Sequence, residues 1–425
     1  MNSELKKLSR VIYVSMAVTA TALLLLFWLF SRSFVAFRIT PAQATFSVDN
    51  AQIGLTAAGM ARSDLSPGIH TVKVSADGYI GQSFDVNFKR GFMKEVDISL
   101  KKLPTPETVS AGATLFAHGS GFNDGYYLGN NGTTIYQIKY GLDATSGKVN
   151  VTENKAITDA RLSNISEIIW EPTHDLALLR KTDGSVNLFD FMKYDFVHQT
   201  ETPWGTGVGS VAWAPDSSEI AYYYAPGTGE RSLILTNFLN TAPTRVADLN
   251  DNNIENPLLR WSPDSQWLLV IPRNTDVAKN NIYLFNVYSR KFTQLTTNGG
   301  QVDAIFSPDG NKILYSTLNN DPNSPIPTVI SIMDLNGKNQ RALNLRAEIS
   351  KIVWTSDSKN IVVSAFDNTA KAETIFEYDT TLDESTGFVL SNLSVAGGIR
   401  SINLSSDGKI VLYETADGIF AVNIN

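Results

Sequence analysis

The run Asp248-Leu249-Asn250-Asp251-Asn252-Asn253 sets side-chain oxygens close together, as a loop does when it wraps a calcium ion. Such a loop also needs glycine at its sixth position for the sharp turn and a bidentate glutamate at its twelfth. Asn253 and Leu259 stand there instead, so the run reads as a solvated loop. His70, His118, His174 and His198 are scattered singly, and no His-Glu-x-x-His pattern brings two imidazoles to one helix face. No Gly-x-Ser-x-Gly elbow presents a serine nucleophile. Cysteine is absent, which removes thiolate nucleophiles, thiolate metal sites and disulfides together. The expectation is therefore no catalytic residue, no metal and no cofactor. Asn131, Asn150, Asn164, Asn392 and Asn403 sit in Asn-x-Ser/Thr sequons, which Asn-rich loops produce by chance.

Charge narrows the partner class. The chain of 425 residues has a formal net charge of −7, with +4 on residues 1–38, +1 on 39–103 and −12 on 104–425. The acidic C-terminal region repels phosphate backbones, so nucleic acid is excluded as a partner and neutral or cationic surfaces are favoured. Hydrophobic residues at 43% against 18% charged indicate packed domains and not a disordered chain. The absence of disulfides in a chain of this size favours a bacterial envelope over a eukaryotic secreted setting.

Any such site must be held by three kinds of element. Val11 to Phe30 is uncharged and ends Leu23-Leu24-Leu25-Leu26-Phe27-Trp28-Leu29-Phe30, a length that at ~1.5 Å per residue matches a ~30 Å hydrocarbon layer. It closes on aromatic residues where a cleaved signal would close on small ones, so residues 11–30 are expected to be an uncleaved transmembrane anchor. Lys6, Lys7 and Arg10 outnumber Arg32 and Arg38, which sets residues 1–10 in the cytoplasm and the bulk of the chain outside a cell membrane.

Beyond Pro41 the pattern shortens to period-two runs: Thr45–Val48, Thr71–Val74, Phe84–Phe88 and Val96–Leu100. These are half-buried strands separated by the turn signals Asp49-Asn50, Ser66-Pro67-Gly68 and Asp77-Gly78. Through Leu65-Ser66-Pro67-Gly68-Ile69-His70-Thr71-Val72-Lys73-Val74 and Asp77-Gly78-Tyr79, residues 40–103 resemble a PEGA domain, although the tetrapeptide that names the family is missing. The resemblance implies a small β-sandwich serving as spacer or docking module, with His70 in a structural position.

Residues 104–425 carry an internal repeat, clearest at Val211-Ala212-Trp213-Ala214-Pro215-Asp216-Ser217, Leu259-Arg260-Trp261-Ser262-Pro263-Asp264-Ser265 and Ala304-Ile305-Phe306-Ser307-Pro308-Asp309-Gly310. Weaker copies lie at 168–175, 352–358 and 402–408, with a degenerate one at 121–125. Their aspartates recur every 41 to 51 residues, the length of one four-stranded propeller blade. The aromatic ends the innermost strand, and Ser-Pro-Asp-Gly makes a type I turn into the second. The copies resemble the TolB-like, WD-repeat-like β-propeller family, implying an all-β chain: a seven-bladed β-propeller and a small β-sandwich behind one transmembrane helix. The chain ends on a third strand, Gly418–Ile424, so the fourth strand of the last blade is expected from Thr105 to Ala111.

The turns after the innermost strands are short, whereas the links on the opposite face are long. Binding residues collect on such loops. The candidates are Trp204, either exposed on that face or plugging a blade junction, with Arg231, Arg273, Asn320 and Asp321. The function expected is membrane-anchored binding or scaffolding, with a protein or envelope polymer as partner. The alternative is a glycan- or peptide-processing enzyme whose carboxylates converge in the propeller channel without a linear motif.

Overall fold

A computed structural model describes residues 2–31, 33–89, 93–102, 105–119, 121–129, 132–158, 162–163, 165–173, 175–181, 190–318, 328–367, 372–390 and 398–424. The chain divides into two compact units, Met1–Leu103 and Pro104–Asn425.

The first unit opens with a helix, Asn2–Ser31. Within it the hydroxyls of Ser15, Thr19 and Thr21 fold back onto the carbonyls of Ile12, Ser15 and Ala17. Among the described residues no helix is long and apolar enough to cross a membrane. This overturns the single-pass anchor at 11–30 and the cell-membrane location that rested on it.

Two sheets follow. Met60–Leu65, Ser33–Thr40 and Met93–Ser99 form one, with the last two strands parallel. Ala51–Ile53, Thr45–Val48, Gly68–Ser75 and Gln82–Phe88 form the other, entirely antiparallel. Val35, Phe37 and Ile39 from the first sheet meet Phe46, Val48, Val72, Val74 and Phe88 from the second in one core. The sandwich thus begins at Ser33 and not at residue 40, because the alternation of Val35, Phe37 and Ile39 is masked in sequence by the apolar run before it.

The second unit holds seven four-stranded sheets in a propeller-like arrangement. Blade 1 spans 114–156, blade 2 165–205, blade 3 208–248, blade 4 258–294, blade 5 301–342 and blade 6 352–390. Blade 7 takes three strands from 399–423, and its fourth is Glu107–Ala111, antiparallel to Gly418–Asn423, as the sequence led us to expect. There is no single core. Apolar clusters lie at the junctions, such as Leu233 and Leu235 of blade 3 against Leu268, Val270 and Phe285 of blade 4. Ile410, Leu412 and Ile419 of blade 7 close on Tyr127, Ile138 and Tyr140 of blade 1.

The repeat motif has two jobs. Within a blade, Ser262 Oγ donates to Asp264 Oδ1 at 2.5 Å while accepting from Trp267 N at 2.9 Å, and the same lattice recurs at Ser307 and Asp309. The residue after the aspartate turns left-handed, at φ 57° for Ser265 and 71° for Gly310. Glycine suits that conformation better than serine. The serines are retained because they reach across a junction: Ser265 Oγ accepts from Asp216 N at 3.2 Å, and Ser358 Oγ from Asp309 N at 3.0 Å.

Two outcomes follow. Ser265→Ala keeps the strained turn and loses the inter-blade bond, so it lowers stability by about 1 kcal/mol, whereas Ser265→Gly offsets the same loss by relaxing the turn. Denaturant midpoints of the two variants distinguish them. In the sandwich, His70 is buried with Nδ1 at 2.6 Å from Asp49 Oδ2 and Nε2 at 2.7 Å from Ser66 O, so both ring nitrogens face acceptors. The hydrogen bond to Asp49 raises its pKa above the ordinary 6.5, against the opposing effect of burial. The resulting stability is complete below the unfolded-state value and disappears as pH rises through the folded one. Hydrogen exchange of Gly68–Ser75, corrected for intrinsic rate, should therefore accelerate above neutral pH in the native chain, and His70→Gln should abolish that pH dependence.

Candidate functional site

The innermost strands of a propeller run side by side around its axis, and here five of them, from blades 2 to 6, line a cavity of about 1140 Å³. Each strand enters from the long-link face and leaves at the Pro-Asp turn. Trp213, Trp261, Phe306 and Trp354, followed by Pro215, Pro263 and Pro308, therefore make the turn-side end of the wall. Glu167, Arg180, Asn256 and Arg273 belong to the link-side end.

Polar bonds stitch these strands together. Arg180 lies with Nε 3.0 Å from Glu167 Oε2, donates from Nη2 to Gly209 O of blade 3 at 2.5 Å, and sits 4.9 Å above the Phe191 ring. Ser210 Oγ donates to Pro257 O at 2.5 Å, joining blade 3 to the entry of blade 4. Arg260 makes a bidentate pair with Asp303 of blade 5, Nε to Oδ1 at 3.1 Å and Nη2 to Oδ2 at 2.8 Å. On blade 6 Glu373, largely buried, takes Lys351 Nζ at 3.0 Å, Ser364 Oγ at 2.9 Å and the backbone N of Ile399 on blade 7 at 2.6 Å. Burial pushes the Glu414 carboxyl above its ordinary range at the last junction, where Phe116 N of blade 1 donates to it at 3.4 Å.

Each pair has one member that bridges to the next blade, so these charges brace the channel. Among the described residues no three His, Cys, Asp or Glu side chains converge on a metal-sized site. Among the described residues the wall of the cavity carries one carboxylate, Glu167, and it is matched by Arg180. Two carboxylates facing one another across a substrate, the arrangement glycosidic cleavage needs, are not formed there.

The sequence candidates separate cleanly. Trp204 is buried at 6% exposure and not presented to solvent: its strand, Thr200–Gly205, closes blade 2, its ring meets Phe191 and Tyr222 edge-on, and its Nε1 donates to Phe238 O at 2.8 Å. Arg231 is tied to Glu255 at 2.5 Å and holds the link between blades 3 and 4. Arg273 is exposed and lines the cavity beside Asn256. Asn320 and Asp321 lie outside the described residues. In the supposed calcium loop, Asp248 accepts from Asn250 N at 2.9 Å and from Arg245 Nη2 at 2.6 Å, which occupies its oxygens.

Arg180, Arg260 and Asp303 were not singled out from the sequence. One signal could have found Arg260: directly before the aromatic, the other copies carry Ile169, Ala212, Ile305, Val353 and Asn403, so it is the one charged residue in that register. Asp303 likewise shares a register with Glu167, Ser210 and Lys351, three residues before the aromatic.

No protein-family model matches the chain, and no curated protein matches it. The resemblance of residues 40–103 to a PEGA domain thus has no support beyond the residues that carry it. Similar solved structures include hydrazine synthase of Kuenenia stuttgartiensis, at 13% identity over 75% of this chain and 98% of that chain with a TM-score of 0.49. TolB from Acinetobacter baumannii is 14% identical over 73% of this chain and 78% of its own, with a TM-score of 0.41. The tricorn protease is 10% identical over 87% of this chain and 44% of its own, at 0.45. Likeness at this level leaves the chemistry to the residues of this chain.

The indoles of the wall make a checkable contrast. Trp261 Nε1 donates to Ala212 O across the blade 3–4 junction at 3.0 Å, whereas the buried Nε1 of Trp354 meets no acceptor among the described residues. Trp261→Phe should therefore lower stability by about 1 kcal/mol more than Trp354→Phe, since both lose similar ring area and only the first strands a carbonyl. Paired denaturant titrations followed by circular dichroism measure the difference.

Proposed function

We propose that the chain is a binding or scaffolding protein without catalytic activity, which receives part of a protein or polymer partner at the link-side mouth of the propeller channel. The observation that carries this reading is the composition of the channel. Its charged groups other than Arg273 are spent in salt bridges between neighbouring strands, and its remaining surface is aromatic, proline-rich and roomy. An enzyme needs groups poised to change protonation state or attack a substrate. Here the side chains of Glu167, Arg180 and Arg260 are tied into ion pairs, which suits recognition by fixed charge and shape.

The rigid ring supports the same conclusion. Among the described residues apolar clusters pack the junctions from blade 7 round through blade 1 to blade 6, so the mouth keeps its shape before a partner arrives and little ordering entropy is lost on binding. The long links that rim this face, including 225–231 and 273–281, are placed to set specificity around a mouth whose dimensions do not vary.

A photoreactive p-benzoylphenylalanine at Asn256, on the mouth, is expected to give one reproducible cross-linked product in the native host. The same group at Thr152, exposed on the outermost strand of blade 1, is expected to give none. Identical product profiles at the two positions, or no product at either, would overturn the proposal. So would turnover of a glycan or peptide library by the purified chain.

A further inference from the structure

We infer that the channel recognises the inserted part of its partner through an oxyanion, a carboxylate or a phosphate, with Arg273 as the receiving group at the mouth and Arg260 as a second, deeper contact. The inference rests on the binding role proposed above and names the chemistry of what is bound.

Charge is the first reason. Residues 104–425 carry −12, yet the cavity is lined by Arg180, Arg260 and Arg273 against Glu167 alone. Glu167 neutralises Arg180 and Asp303 neutralises Arg260, which leaves the Arg273 charge uncompensated among the described residues. A lone guanidinium in a cleft with protein walls has its field focused along the cleft, where it attracts an anion much more strongly than an arginine on an open surface does. The acidic exterior works in the other direction on long polyanions, so a short segment that fits within the cavity is selected.

Orientation is the second reason. Asp303 grips Nε and Nη2 of Arg260 and leaves Nη1, on a side chain that is 40% exposed, to face a ligand. A guanidinium already fixed by a carboxylate loses little further rotamer freedom when it binds, and its planar fork matches the geometry of carboxylate and phosphate oxygens. Arg260 is paired in register with Leu269, four residues before Arg273 on the same hairpin. That puts the two Cα atoms about 13 Å apart along the strand, and Arg260 reaches back from there toward Asp303, nearer the mouth. One oxyanion meets Arg273; a second on the same inserted segment reaches Arg260.

Thermal unfolding of the full chain, at an ionic strength held constant with sodium chloride, tests this with two probes: tricarballylate for carboxylate and inorganic triphosphate for phosphate. One probe should raise the midpoint in a saturable way and the other much less, which identifies the oxyanion. Arg273→Glu should weaken binding at least tenfold, Arg273→Lys should retain most of it, and Arg260→Gln should weaken it several-fold. Arg245→Gln, on a surface pair with Asp248, should leave it unchanged. If neither probe exceeds the sodium chloride control, or if Arg273→Glu binds like the native chain, the oxyanion assignment is wrong. The cross-link at Asn256 separates the two levels: its persistence would then leave the binding role standing and remove only the ligand class.

Discussion

Antiparallel pairing of Glu107–Ala111 with Gly418–Asn423 is the contact on which the rest of the propeller depends. Each blade is a four-stranded sheet with two apolar faces, and both are covered only when every blade has two neighbours. Without the strand from the start of the unit, the last blade would end on an open edge, and the junction of Ile410, Leu412 and Ile419 with Tyr127, Ile138 and Tyr140 would have no fixed register. The seam is reinforced by polar bonds: His118 donates to Leu404 O, Asn423 Nδ2 to Gly147 O at 2.7 Å, and Lys148 pairs with Glu107 at 2.9 Å. Closure joins residues some three hundred positions apart, so it carries a large loop-closure cost that the packing of the completed ring offsets.

Much of this architecture was legible because a repeat states its structure many times over. The Pro-Asp turn, the aromatic before it and the spacing between copies gave four-stranded blades, and the missing strand at the C-terminus indicated where the chain must close. The anchor over residues 11–30 was read from apolar composition, and among the described residues no helix is long and apolar enough to bear it out. Trp204 stayed open between two places because a tryptophan between Pro203 and Gly205 looks like a loop tip, and of the two its ring takes the junction of blades 2 and 3. Arg260 and Asp303 could not be joined from sequence, since their pairing exists only once blades 4 and 5 stand side by side.

The same residues separate strength from recognition. A surface ion pair contributes little to stability, typically about 0–1 kcal/mol, because water screens it and two long side chains are immobilised. The channel pairs are placed differently. Arg180 and Glu373 are largely buried, and each also bonds the backbone of the next blade, so charge, hydrogen bond and strand register are fixed together. Such groups do more to specify one arrangement of the inner strands than to deepen its free-energy minimum.

A channel braced in this way has consequences for how a propeller acquires a ligand. The positions that end each inner strand, the aromatic, proline and aspartate, are committed to packing and turning, and they are the positions the repeat preserves. The register directly before the aromatic and the one three residues before it face neighbouring strands or the axis, and there the copies diverge: Ile169, Ala212, Arg260, Ile305 and Val353 in the first, Glu167, Ser210, Leu258, Asp303 and Lys351 in the second. Substitution in these registers alters the charge and shape of the channel without disturbing the turns. Departures of a copy from its own repeat are therefore where chemistry enters a fold of this kind, and the Leu259-Arg260-Trp261 copy departs most in charge.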